Sequence, residues 1–188
     1  MVDPHRREDI LVAALGAFEA KGILGATLED IRTGSGASIG SIYHHFGDKE
    51  GIAAALHAAV LADYQRGFAA AIEDAGAEQG VRAVVDAHLR WAQRHPPQMR
   101  YLLAGPPAGD DVGALNRDFF RTVRAWWARH PELIEFDLAT AHAVWLGPAT
   151  EYCRHWLSGR APRPDARRRA LFSDTAWRSL CRRPPTPS

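Results

Sequence analysis

Apolar positions recur every three to four residues almost from end to end of the chain, and no stretch sustains the alternation of a half-buried strand. Ile10, Leu11, Ala14, Leu15, Ala17 and Phe18 line one side of a first helix. Asp3-Pro4 offers that helix an N-cap with proline at its first position, and Lys21-Gly22 closes it with a glycine where a left-handed residue is wanted. Thr27, with Asp30 three residues on, resembles a capping box that opens a short helix, which Gly34 and Gly36 are expected to stop. Ser38 caps a second short helix running through Ile39 to about His45, and Gly47-Asp48 ends it and caps a long one. Two short helices around a tight glycine turn have the outline of a helix-turn-helix.

From Ile52 the positions Leu56, Val60, Tyr64 and Phe68 predict a helix lasting to about Gly76. The next, from about Glu78 to His95, is apolar on more than one side, as central helices are. Pro96-Pro97 breaks it before a short amphipathic turn with Met99, Leu102 and Leu103, and the stretch 105–113 is a loop by composition. Leu115, Phe119, Val123 and Trp126 mark a helix that stops at His130-Pro131. A further helix spans about Asp137 to Ser158 with a bend at Gly147-Pro148, and a last one starts near Asp165 after a linker.

Composition narrows the class. The chain has 188 residues, 46% apolar and 24% charged, which fits one or two folded units and excludes a mostly disordered chain. No run approaches the roughly 20 apolar residues of a membrane helix and the start lacks a signal peptide, so no membrane role and a cytoplasmic location are expected. Cys153 and Cys181 are too few for a disulfide framework and are expected to be free thiols. Net charge is +1, and the first fifty residues hold five basic against eight acidic side chains, a balance of −3. Any DNA binding must therefore rest on local geometry.

That geometry concentrates in residues 27–50. A helix over 39–45 that buries Ile42 and Phe46 leaves Ser38, Gly40, Ser41, Tyr43, His44 and His45 facing outward. Residues 8–56 resemble the DNA-binding domain of the TetR (tetracycline-repressor-like) family of bacterial transcription regulators. The resemblance rests on the first helix ending at Lys21-Gly22, Thr27 and Ile31 in the second, the Gly36 turn, Ile42-Tyr43-His44-His45-Phe46, and Lys49-Glu50 opening a fourth helix. Arg32, Ser35 and Ala37 depart from the family's usual Ala, Ala and Val. The resemblance implies an all-α protein of about nine helices. An N-terminal helix-turn-helix DNA-binding domain would occupy 1–50, a larger ligand-binding and dimerisation domain 51–182, and a disordered tail 183–188.

The resemblance also assigns roles. Thr27 would bring a hydroxyl and free amides to a phosphate, Tyr43 would donate its hydroxyl to another, and Lys49 would add charge at a helix start. Ser38, Ile39, Gly40, Ser41 and His44 would lie near the major-groove floor, with Ile39 able to pack on a thymine methyl. His45 is expected to serve as a phosphate or packing residue. Adjacent positions 44 and 45 point different ways on a helix, so no metal site is expected there, nor any cofactor.

One such domain reaches few phosphates, which calls for a homodimer on double-stranded operator DNA. Two stripes are its candidate interface: Trp145, Ala149, Tyr152 and Trp156, and Leu171, Phe172, Ala176 and Leu180. The alternative for both is a role in the chain's own core. Tyr64, Phe68, His88, Trp91, Met99, Leu102, Phe119, Val123 and Trp126 are candidates for a pocket taking a small apolar or aromatic effector, as the family resemblance implies. Each is also explained as core. Arg167, Arg168 and Arg169 read as a solvated face. A repressor released by its effector is the leading reading. A helical protein-interaction module without DNA binding and an all-α enzyme are the alternatives, the last disfavoured by the absence of HExxH and CxxC.

Overall fold

The computed structural model describes residues 4–107, 113–135 and 137–182. Asp3, most of the 105–113 loop and the tail 183–188 lie outside the described residues. Among the described residues there are nine helices: α1 (Pro4–Gly25), α2 (Leu28–Ser35), α3 (Ile39–Phe46), α4 (Lys49–Ile72), α5 (Ala77–Arg94), α6 (Pro96–Leu103), α7 (Gly113–Ala128), α8 (Leu138–Leu157) and α9 (Ala166–Leu180). No helix among them is long and apolar enough to cross a membrane.

The described residues of Met1–Ala62 and Pro96–Ala114 form one packing unit. Gly22 breaks the helical path of α1 with φ at +70°, where the sequence places a left-handed residue, and a short continuation reaches Gly25. Thr27 then opens α2 with a complete capping box: its hydroxyl oxygen accepts from Asp30 N–H at 3.1 Å, and Asp30 accepts from Thr27 N–H at 2.9 Å. Gly34, expected to stop this helix, lies inside it. A Cβ there would sit 3.2 Å from that of Ala13, so this glycine lets α2 close on α1. The stop falls to Gly36, left-handed at φ +64°. Ser35 tightens the turn by donating to the Ile31 carbonyl at 2.7 Å and accepting from Ala37 N–H at 3.2 Å. Beneath these helices Ile10, Ile31, Ile42 and Ile52 are fully buried. Tyr101 of α6 stacks on Phe18 and donates to the Ala53 carbonyl at 2.9 Å, so α6 and the start of α4 belong to this core. Packing thus divides the chain differently from the expected boundary at residue 50.

The described residues of Asp63–His95 and Leu115–Ser188 form the second unit. Helix α5 is its centre, with Val81, Val84, Val85 and Leu89 fully buried and α8 and α9 packed against it. Trp145 donates its indole N–H to the Val81 carbonyl at 3.0 Å, and Trp126 donates to that of Ala75 at 2.9 Å. The two rings stack 5.7 Å apart. A Cβ on Gly80 would collide with the Trp126 indole, which accounts for a glycine in the middle of a buried helix. Asp137 and Asp165 cap α8 and α9 with their side chains, and α8 continues through Pro148. Helix α4 ends at Ile72, short of the expected Gly76. Arg169 leaves the expected solvated face: its side chain is 15% exposed and pairs with Asp86 of α5 at 2.9 Å.

Candidate nucleic-acid interface

Helix α3 is a short helix held at both ends. Ser38 caps it by accepting from Ser41 N–H at 3.1 Å, and Gly47 N–H closes it on the Tyr43 carbonyl. Ile42 anchors its inner side, and the Arg7 guanidinium covers the Phe46 ring at 5.5 Å. The outward face presents Ile39 (44% exposed), Gly40, Tyr43 (52% exposed) and His44. A large apolar side chain standing that far into solvent is informative when it lies beside an exposed tyrosine on a capped helix. Ser41 and His45 are half-buried, and His45 packs beside His44 and Phe46. Ser38 keeps a free hydroxyl hydrogen while its oxygen serves the cap.

Two of the residues expected to hold phosphate, Thr27 and Lys49, are already engaged. Thr27 directs both its N–H and its hydroxyl to Asp30, each at 2.9 Å. The Lys21 ammonium, 2.7 Å from Asp30, together with the Thr27 N–H and hydroxyl holds that carboxyl down at about 2. A phosphate approaching the α2 N-terminus therefore meets a carboxylate and must compete for the Thr27 donors. Lys49 donates to the carbonyls of Leu24 at 3.2 Å and Ala26 at 3.1 Å, tying the start of α4 to the end of α1. An ammonium has three donors, so one remains. Both Lys49 and Arg7 act across long sequence separations, and nothing local in the sequence signals either role.

Gly36-Ala37-Ser38-Ile39-Gly40 spells GxSxG, the pattern of a hydrolase nucleophile elbow. That elbow needs a strand running into a helix. Here α2 runs in, and the Ser38 oxygen serves as the α3 cap.

The expected effector residues do not line one pocket. Tyr64, Phe68, His88 and Trp91 surround a cavity of about 120 Å³ with Gly67, Val84, Ala87 and Arg94. Phe119 and Val123 join Phe68 around a separate hollow of about 20 Å³, and Trp126 borders an open groove of about 710 Å³ between α4 and α7. Met99 and Leu102 belong to the other packing unit. The 120 Å³ cavity has a polar spine. The Tyr64 hydroxyl lies 2.9 Å from His88 Nδ1, and Cys153 Sγ lies 3.8 Å from His88 Nε2. Burial, with a smaller contribution from His142, pushes His88 down to about 4 and so keeps it neutral near pH 7. Burial likewise raises the Tyr64 hydroxyl and pushes the Cys153 thiol up to about 12, which makes that cysteine a poor nucleophile.

The expected dimer stripes also divide. Trp145, Ala149, Ala176 and Leu180 are buried within the chain's own second unit and cannot meet a partner. The apolar period marks a buried face without saying what buries it. Tyr152, Trp156 and Phe172 are half-buried and Leu171 is 60% exposed, so these four remain accessible.

Residues 10–56 match the family model described as bacterial regulatory proteins, tetR family. The chain is similar to the HTH-type transcriptional regulator BetI of Stenotrophomonas maltophilia, at 32% identity over 104 residues, which is 54% of this chain and 53% of that protein. It is also similar to the HTH-type transcriptional repressor AcnR of Corynebacterium diphtheriae, at 36% over 90 residues, 48% of this chain and 43% of that one. The chain spans about half the length of the curated relatives it matches. A TetR family transcription regulator from Marinobacter aquaeolei shares the fold at TM-score 0.80 and 14% identity, over 95% of this chain and 96% of the other.

Proposed function

We propose that this chain is a DNA-binding transcriptional regulator of the tetR family, a repressor that leaves its operator when a small effector binds; the family-model match over residues 10–56 and the likeness to BetI and AcnR support the reading. The observation that carries this reading is α3: a capped helix after a left-handed glycine turn, with Ile39, Gly40, Tyr43 and His44 turned to solvent. Such a face fits the major groove, and none of the described residues covers its exposed apolar surface. A single copy brings little positive charge, so the functional unit is a homodimer joined through the accessible Tyr152, Trp156, Leu171 and Phe172 surface. The effector is a small apolar or aromatic molecule at the Tyr64–His88–Trp91 cavity. Neutral Tyr64 and His88 are its polar contacts, and Phe68 supplies an apolar wall. Release follows only if the effector fits the DNA-free conformation better than the bound one.

The test is selection of duplexes from a randomised pool by the full chain, followed by gel shift. The reading expects one enriched two-fold sequence that binds two chains, with affinity falling as salt rises. A pool that yields no preferred duplex would refute it.

A further inference from the structure

Three features of α3 bear on what it reads. Residues 33–48 contain no Arg, Lys, Asn or Gln. Those are the side chains that pair two-pronged with guanine or adenine in the major groove, and their absence removes the strongest hydrogen-bonded readers. Of the hydroxyls, the Ser38 oxygen already holds the cap and Ser41 is half-buried. Ile39, by contrast, stands 44% exposed at the first position of the helix, with Tyr43 one turn later on the same side.

Gly40 lies between them, and the protein itself gives no reason for a glycine there. Its φ is not in the left-handed region, and an added Cβ would meet nothing nearer than the Ser38 hydroxyl at 4.0 Å. A helical glycine is less stable than alanine, and on this exposed face its missing side chain leaves clearance toward an outside molecule. It allows the helix backbone to approach a surface that Ile39 then touches.

We infer that α3 reads its operator mainly through thymine C5-methyl groups, with Ile39 as the methyl contact and Gly40 as the point of closest backbone approach. The inference rests on the reading of α3 as the groove-entering helix and deepens it by naming the feature recognised. The thymine methyl is the apolar mark on base edges in the major groove, and an isoleucine in contact with it discriminates by buried area alone. Tyr43 and His44 add single hydrogen bonds.

The experiment uses an operator enriched from the random pool by the full chain, with each thymine replaced in turn by deoxyuridine, which lacks only the methyl. For the natural sequence at least one thymine per half-site should lose about fourfold in affinity, the worth of one buried methyl. The Ile39→Ala variant should bind more weakly and be indifferent to the same replacement. Gly40→Ala should raise the melting temperature by a few degrees, about what a better helix former gives, while weakening operator binding at least roughly tenfold. A merely structural glycine would not part those two readouts. Uracil tolerance at every position, equal losses in both proteins, or full operator affinity in Gly40→Ala would each overturn the inference and leave DNA binding standing. A pool that enriches no duplex would overturn the DNA-binding reading and this inference with it.

Discussion

Lys49 Nζ lies 3.1 Å from the carbonyl oxygen of Ala26, twenty-three residues earlier, and reaches the Leu24 carbonyl with a second hydrogen. The start of α4 is thereby fastened to the segment that leads from α1 into α2. The α1 C-terminus leaves carbonyls without helical partners, and the ammonium satisfies one of them, Leu24, together with Ala26 just beyond the helix. Lys49→Met should cost about 1–2 kcal/mol in urea unfolding and weaken operator binding further, whereas Lys49→Arg should recover most of the stability. Unchanged stability in Lys49→Met would show that the fastening carries no weight.

His88 gives the second unit a predictable pH response. In the unfolded chain an ordinary histidine takes up a proton near pH 6.5, while burial holds folded His88 neutral until about 4. Between those values the unfolded state binds more protons, so stability should fall as pH drops through this window, by on the order of 3 kcal/mol. His88→Gln keeps a partner for the Tyr64 hydroxyl and removes the titration. Its stability should depend less on pH between 6.5 and 4 than that of the natural sequence. Parallel curves would place the proton uptake elsewhere.

Gly80 should behave in the opposite sense to Gly40. An alanine at Gly80 runs into the Trp126 indole, and overpacking a buried site of this kind costs roughly 1–3 kcal/mol despite alanine's better helix propensity. Thermal unfolding of Gly80→Ala should shift down. A shift upward would mean that the Trp126 ring moves aside freely.

The accessible part of α8 and α9 can be separated from the buried part by substitution. Leu171→Glu and Trp156→Arg should give monomers in sedimentation with native helix content. Ala176→Glu, which places a charge in the chain's own core, should instead lower stability by about 3 kcal/mol or more. Dimers persisting in both surface variants would move the interface away from these helices.

The elements were legible where their chemistry is local. The side-chain caps Thr27 and Ser38 and the left-handed Gly22 and Gly36 act within a few residues and stand where the sequence places them, and Asp137 and Asp165, read only as helix starts, prove to be caps as well. Gly34 was misread because its reason is Ala13 on another helix, and no periodicity records a contact of that kind. The same limit explains Trp145, Ala149, Ala176 and Leu180. A stripe of apolar residues reports burial, and α5, which buries part of it, is distant in sequence: its Val81, which accepts from Trp145, lies 64 residues away. Of the candidate interface, helix geometry placed Gly40, Tyr43 and His44 outward as the structure has them, but also Ser41 and His45, which are half-buried, while Ile39 came from the family resemblance. The prior engagement of Lys49 was not legible, since it depends on carbonyls more than twenty residues away.

The central claim is that α3 of two copies reads one duplex, and fluorescence anisotropy of a labelled operator titrated with the full chain tests it most directly. The operator should be bound at least about 1,000-fold more tightly than a scrambled duplex of the same composition, with two chains per duplex and a steep loss of affinity between about 50 and 200 mM salt. Equal affinity for both duplexes, or no binding to either, would contradict it.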